Sequence, residues 1–149
     1  FTTLAGLLLG AKRGAISVAC YLVLGLIGLP IFSEGGGIFY VFKPTFGYLI
    51  GFLVGTFVTG AIAHRVESPS FWRILLACFS GLLIVYACGM VYYWGICEFY
   101  VGEGIGVGAL FLYCFVLAVP GDVVLCILSA IVAKRLAPVT VKLRGGVRL

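Results

Sequence analysis

Runs of residues without a charged side chain alternate with short polar breaks along almost the whole chain, and several runs have the length of a membrane-spanning helix. Phe1 to Ala11 is apolar but too short to cross a hydrocarbon core, which takes about 20 helical residues. It is expected to be the end of a helix whose beginning lies outside the sequence. Gly14 to Ser33 predicts one full span, Pro44 to Ala63 a second and Ile74 to Cys97 a third. The last apolar stretch, Gly104 to Ala133, is interrupted by "PGD" at Pro120 to Asp122. A proline inside a helix removes a backbone hydrogen bond and clashes with the preceding turn. At a helix start it fits, and an acid just after it suits the positive end of the dipole. The break predicts a partly inserted helix over Gly106 to Val119 and a final span over Pro120 to Leu136.

Composition explains why the runs are so long. The 149 residues are 63% hydrophobic and only 10% charged, with mean hydropathy +1.25. A soluble domain carries about 25% charged residues, so lipid is expected to cover most of this exterior. No polar linker or charge block divides the chain, which predicts a single integral membrane domain over residues 1–149. The net charge of +5 does not point to nucleic acid. Nine of the ten bases fall in "GAKRG", "HRVESPSFWR" and the tail from Lys134, each at the end of an apolar run, without interleaved aromatics. Those breaks share one side of the membrane in an alternating topology, and the positive-inside rule makes that side cytoplasmic. The opposite breaks, "SEGGGIFYVFKP" and "CEFYVGEG", hold Glu34, Glu98 and Glu103 but only Lys43. They are expected to face outside.

Little in the chain suggests chemistry. Six cysteines are spread through apolar runs without a CxxC pair and are expected to be small buried hydrophobes. With His64 as the only histidine, no metal site or cofactor is expected. There is no HExxH, no serine or cysteine near a histidine and no carboxylate pair, so an enzyme is not expected. Small residues recur at Gly47, Gly51, Gly55, Thr59 and Ala63, a stripe that lets two membrane helices approach closely. Internal packing is the expected use, a partner-docking surface the other. Asp122 is the only acid within or at the edge of an apolar span. Such a residue is expensive there, and it serves either as a helix-start group or as an acceptor for a polar ligand in an outward-facing cavity. The loop before Pro44 carries Gly35, Gly36 and Gly37 with Phe32, Phe39, Tyr40 and Phe42. Glycine freedom with apolar cover suits a lid over a small molecule, so Phe32 and Gly36 are candidate ligand contacts. An ordered loop at the membrane interface, where aromatics also gather, is the alternative.

Three stretches together resemble the BioY family, the biotin-specific S components of energy-coupling-factor (ECF) transporters. They are "LAGLLLGAKRGAISVACYLVLGLIGLPIF" (Leu4 to Phe32), "KPTFGYLIGF" (Lys43 to Phe52) and "VPGDVVLCILSAIVAKRL" (Val119 to Leu136). The resemblance implies an all-α, polytopic bundle of six membrane helices in a prokaryotic cytoplasmic membrane, the first helix missing here, so that the domain is N-terminally truncated relative to the family. It also implies a subunit that captures biotin at the outer side, docking onto a membrane-embedded coupling subunit driven by two ATPase subunits. Asp122 carries over as a ligand-binding residue. Thr45, Gly47 and Tyr48 match the family's "PTxGY", and Trp94 matches an aromatic near the end of the fifth helix. Leu125 departs from the family pattern, which usually has lysine there. The alternatives to biotin capture are an S component for another small vitamin-like molecule and a small membrane scaffold that binds no small ligand.

Overall fold

The computed structural model describes residues 2–66, 69–101, 108–109, 112, 116 and 118–145. Among them the chain is all-α: α1 (Thr2–Leu9), α2 (Ala11–Ile27), a short 3-10 helix (Ile38–Phe42), α3 (Phe46–Ala63), α4 (Phe71–Ile96) followed by a π-helical turn (Cys97–Val101), and α5 (Val119–Gly145). No strand forms among the described residues.

The spans lie where the uncharged runs place them, but their ends differ. The first full span begins at Ala11, so Lys12 and Arg13 sit in the first turn of α2 rather than in a loop. It ends at Ile27 instead of Ser33. Gly28 adopts φ +122°, and Leu29 N–H returns to the Leu24 carbonyl at 3.3 Å, the glycine-terminated ending that closes many helices. Pro44 does not start α3; the helix begins at Phe46 after a turn. α4 begins at Phe71, capped by Ser70, whose Oγ accepts from Arg73 N–H at 3.3 Å. α5 begins at Val119, one residue before Pro120, as the break at "PGD" requires. It then runs past Leu136 and through Pro138 to Gly145. Most of the partly inserted helix expected over Gly106 to Val119 lies outside the described residues. Two runs, Phe46–Ala63 and Phe71–Phe99, are long and apolar enough to cross a membrane.

α3 is central. Its small-residue stripe packs internally against α4, as expected. A Cβ on Gly51 would lie 2.8 Å from Val85 Cα, and one on Gly55 would lie 2.9 Å from the Gly81 carbonyl oxygen. The buried Thr59 hydroxyl donates to the Ala77 carbonyl at 3.2 Å. On another side α3 meets α1, where Thr56 donates to the Thr2 carbonyl at 3.2 Å. These contacts leave no stripe surface for a partner.

Two apolar clusters occupy opposite ends. One gathers Leu7, Ala63, Ile74, Ala77, Cys78, Cys126, Ala130 and Ala133. At that end His64 Nε2 lies 2.7 Å from the Leu7 carbonyl oxygen, Arg73 Nε donates to the Ile62 carbonyl at 3.1 Å, and Lys134 stands over the Phe71 ring. Arg73, from the break before α4, and Lys134, near the end of α5, therefore lie at the same end of the bundle. The other cluster holds Leu22, Phe32, Tyr40, Phe46 and Leu49.

Candidate functional site

The glycine-aromatic loop folds back on the end of α2. Phe32 and Gly35 pair through two backbone hydrogen bonds, 3.0 and 3.2 Å, and Gly37 N–H donates to the Gly25 carbonyl at 2.8 Å. The Gly37 φ of +109° is a conformation that glycine tolerates best. Tyr40 is the loop's hub: its hydroxyl lies 3.2 Å from Ser33 Oγ and accepts from Thr45 Oγ1 at 3.3 Å. Tyr21 of α2 donates to the Ile31 carbonyl at 2.9 Å, and Tyr92 of α4 donates to the Val41 carbonyl. Lys43 pairs with Glu34 at 2.8 Å. Exposed pairs of this kind contribute about 0–1 kcal/mol, so the backbone and tyrosine bonds hold the loop.

Beside this loop, helices α1 to α5 surround a cavity of about 1050 Å³, at the upper end for a small-molecule site. Its wall is mostly apolar and includes Leu22, Phe52, Leu82, Val85 and Leu125, with Ser17, Tyr21, Tyr48, Thr56, Tyr86, Asp122 and Ser129 as polar points. Asp122 is the only formally charged residue among the described residues of that wall. It projects from the first turn of α5, where the helix dipole favours a carboxylate. Its Oδ2 accepts a hydrogen bond from the Tyr86 hydroxyl of α4. Tyr86 lies 15 residues into the 26-residue α4, about 22 Å from its start at 1.5 Å per residue. Asp122 is therefore level with the interior of a membrane-length helix. The Tyr48 ring stands edge-on to Tyr86, centroids 6.4 Å apart and planes 89° apart. Gly89 makes this possible, because a Cβ there would lie 2.4 Å from the Tyr48 ring.

Of the candidate ligand contacts, Asp122 and Tyr48 meet at this cavity. The others sit elsewhere. Phe32 packs on Gly25 and meets Tyr21 edge-on at 5.5 Å, one layer behind the wall. Gly36 is pressed against Leu29, where a Cβ would fall 2.1 Å from the carbonyl oxygen. Thr45 serves the Tyr40 hub. Gly47 lets α3 approach Tyr92 of α4, and Trp94 is 45% exposed and not on the cavity wall. The loop caps the cluster of Leu22, Phe46 and Leu49, and the described cavity wall contains neither Phe32 nor Gly36. Tyr86 and Tyr21 are polar cavity residues not anticipated from sequence. A tyrosine inside "LLIVYACGM" was the available signal, since a buried phenol usually finds a partner.

A bundle of apolar helices around a cavity of small-molecule size, with one carboxylate among the described wall residues, defines a membrane protein with a candidate ligand site. The chain belongs to the BioY family, whose model matches residues 1–142. It is 42% identical over 136 residues to a probable biotin transporter BioY of Lysinibacillus sphaericus, covering 91% of this chain and 69% of that protein. It is 36% identical over 146 residues to the biotin transporter BioY of Thermotoga maritima, covering 95% of this chain and 79% of that one. Its fold matches a crystal structure of the S-component for biotin from an ECF-type ABC transporter, with TM-score 0.77 and 29% identity, over 91% of this chain and 70% of the other. The all-α architecture is thus that of an ECF S component.

Proposed function

We propose that the chain is the biotin-capture subunit of an ECF transporter. It sits as a multi-pass protein in a prokaryotic cytoplasmic membrane and takes biotin from the outer side. It delivers the vitamin through a membrane coupling subunit driven by two ATPase subunits, and it does no chemistry on its ligand. One observation carries the reading: the described cavity wall bears one carboxylate, Asp122, level with the interior of a membrane-length helix and held by a tyrosine. A carboxylate that costs about 2.5–3.5 kcal/mol to insert is a functional-site marker by default, and it is an acceptor suited to the N–H groups of biotin's ureido ring. Exposed apolar side chains such as Ile27 (76%) and Val91 (68%) fit a surface covered by lipid.

The scaffold alternative loses the surface it needed, because the stripe on α3 is spent on α4. Leu125 lines the cavity at the position where the family resemblance leads one to expect lysine, which makes another small vitamin-like molecule the reading to test against. A thermal-shift screen of the purified protein against biotin and other vitamins separates the three. Biotin at a hundred times its dissociation constant should add about 2.7 kcal/mol of stability. A shift with a different vitamin alone would replace biotin, and no shift with any would favour the scaffold.

Orientation is tested separately. With the native cysteines replaced, a cysteine at the exposed Ile38 should react with an impermeant thiol reagent in whole cells, and one at the exposed Arg65 should not. The reverse pattern would place the loop in the cytoplasm and remove the outer entry.

A further inference from the structure

We infer that Tyr86 is a positioning residue for ligand binding: it holds one oxygen of the Asp122 carboxylate so that the other is presented to the ligand. The inference rests on the proposed function but concerns a residue that neither the motif resemblance nor the loop brought forward. Tyr86 comes from α4 and Asp122 from α5, 36 positions apart in sequence, and the Tyr86 hydroxyl donates to Asp122 Oδ2. Tyr86 is only 4% exposed, so its ring is fixed by packing. Tyr48 of α3, edge-on to it and seated over Gly89, closes one side of the ring. Three helices therefore fix the direction of one O–H group.

The chemistry follows from that direction. A carboxylate accepts through both oxygens and donates nothing when ionised. With no lysine or arginine among the described wall residues to hold it, it would otherwise rotate about its own side-chain torsions and lose alignment with a ligand. A donated hydrogen bond from a fixed phenol ties down Oδ2 and leaves Oδ1 as the aligned acceptor. It also commits the phenol proton to Asp122 rather than to the ligand. A site of this form selects a neutral N–H donor, such as a urea nitrogen, over an anion or a ligand offering only acceptors at that end.

The test is a double-mutant cycle on the purified chain in detergent, with biotin titrated by calorimetry into wild type, Tyr86→Phe, Asp122→Asn and the double variant. Tyr86→Phe keeps the ring and its packing and removes only the hydroxyl. It should weaken biotin binding about tenfold, with the ligand-free melting temperature little changed. In the Asp122→Asn background the same change should cost about threefold or less, because with the amide oxygen on Tyr86 the group left facing the ligand is an NH2 that cannot accept its N–H. Unchanged affinity in Tyr86→Phe would overturn the inference. So would an equal loss in both backgrounds, which is what a role in cavity shape alone produces. If wild type does not bind biotin, the proposed function fails, and the pairing is then read without ligand. The infrared carboxylate band assigned to Asp122 by its loss in Asp122→Asn should shift in Tyr86→Phe, and an unshifted band would overturn the positioning role.

Discussion

Asp122→Asn will weaken biotin binding about tenfold or more while leaving the ligand-free protein folded. The substitution keeps the size and shape of the side chain and removes its charge. Hydrogen bonds to a charged acceptor contribute about 1.5–3 kcal/mol net, and about 1.4 kcal/mol corresponds to each decade of affinity. The fold should tolerate the change for two reasons. The Tyr86 hydroxyl can donate to an amide oxygen as it does to Oδ2, and asparagine is compatible with a helix start. Calorimetric titration with melting temperatures alongside separates the outcomes. Equal affinities would reduce Asp122 to a helix-start residue.

Gly51→Leu will lower thermal stability in detergent whether or not a ligand is present. A Cβ at Gly51 falls 2.8 Å from Val85 Cα and 2.9 Å from the Val85 carbonyl oxygen. Both are backbone atoms of α4, so the helices themselves must separate. Overpacking of a fitted interface costs about 1–3 kcal/mol, and the leucine adds three further carbons to the clash. Gly95→Leu is the matched control, since nothing lies within 4 Å of a Cβ there. It should leave stability unchanged or raise it slightly, as leucine is the better helix former by about 1 kcal/mol or less. Equal melting temperatures for the two variants would contradict the close α3–α4 contact.

The spans were legible because lipid-covered helices need long uncharged runs, and little else in a chain produces them. Their ends were less so. Lys12 and Arg13 read as a break between spans, yet a long basic side chain at a helix end can reach the interface from within the helix, and α2 starts before them. Pro44 looked like a helix start and Leu136 like a helix end; α3 begins two residues after the first, and α5 continues through Pro138. Such boundaries depend on local turns that hydropathy does not record.

The site divides the same way. Asp122 stood out as the one acid associated with an apolar span, and it does line the cavity. Tyr48 came from a motif match and lies beside it. Tyr86 escaped notice because a tyrosine in an apolar run does not say which helix it faces. Its value comes from a pairing across α4 and α5. Thr45, Gly47, Gly36, Phe32 and Trp94 belonged to stretches that suggested ligand contact. The rotation of each helix and the fold of the loop place them against Tyr40, Tyr92, Leu29, Gly25 and the bundle surface. Rotation about a helix axis is set by neighbours, and a single sequence carries only a weak trace of it.

The most direct measurement is an experimental structure of the protein with biotin bound. The account predicts density for biotin in the cavity between α1 and α5, with a ureido nitrogen about 2.7–3.2 Å from an Asp122 carboxylate oxygen and the Tyr86 hydroxyl still on the other oxygen. Biotin bound elsewhere with the Asp122 carboxylate free of it, or a cavity empty at saturating biotin, would contradict it.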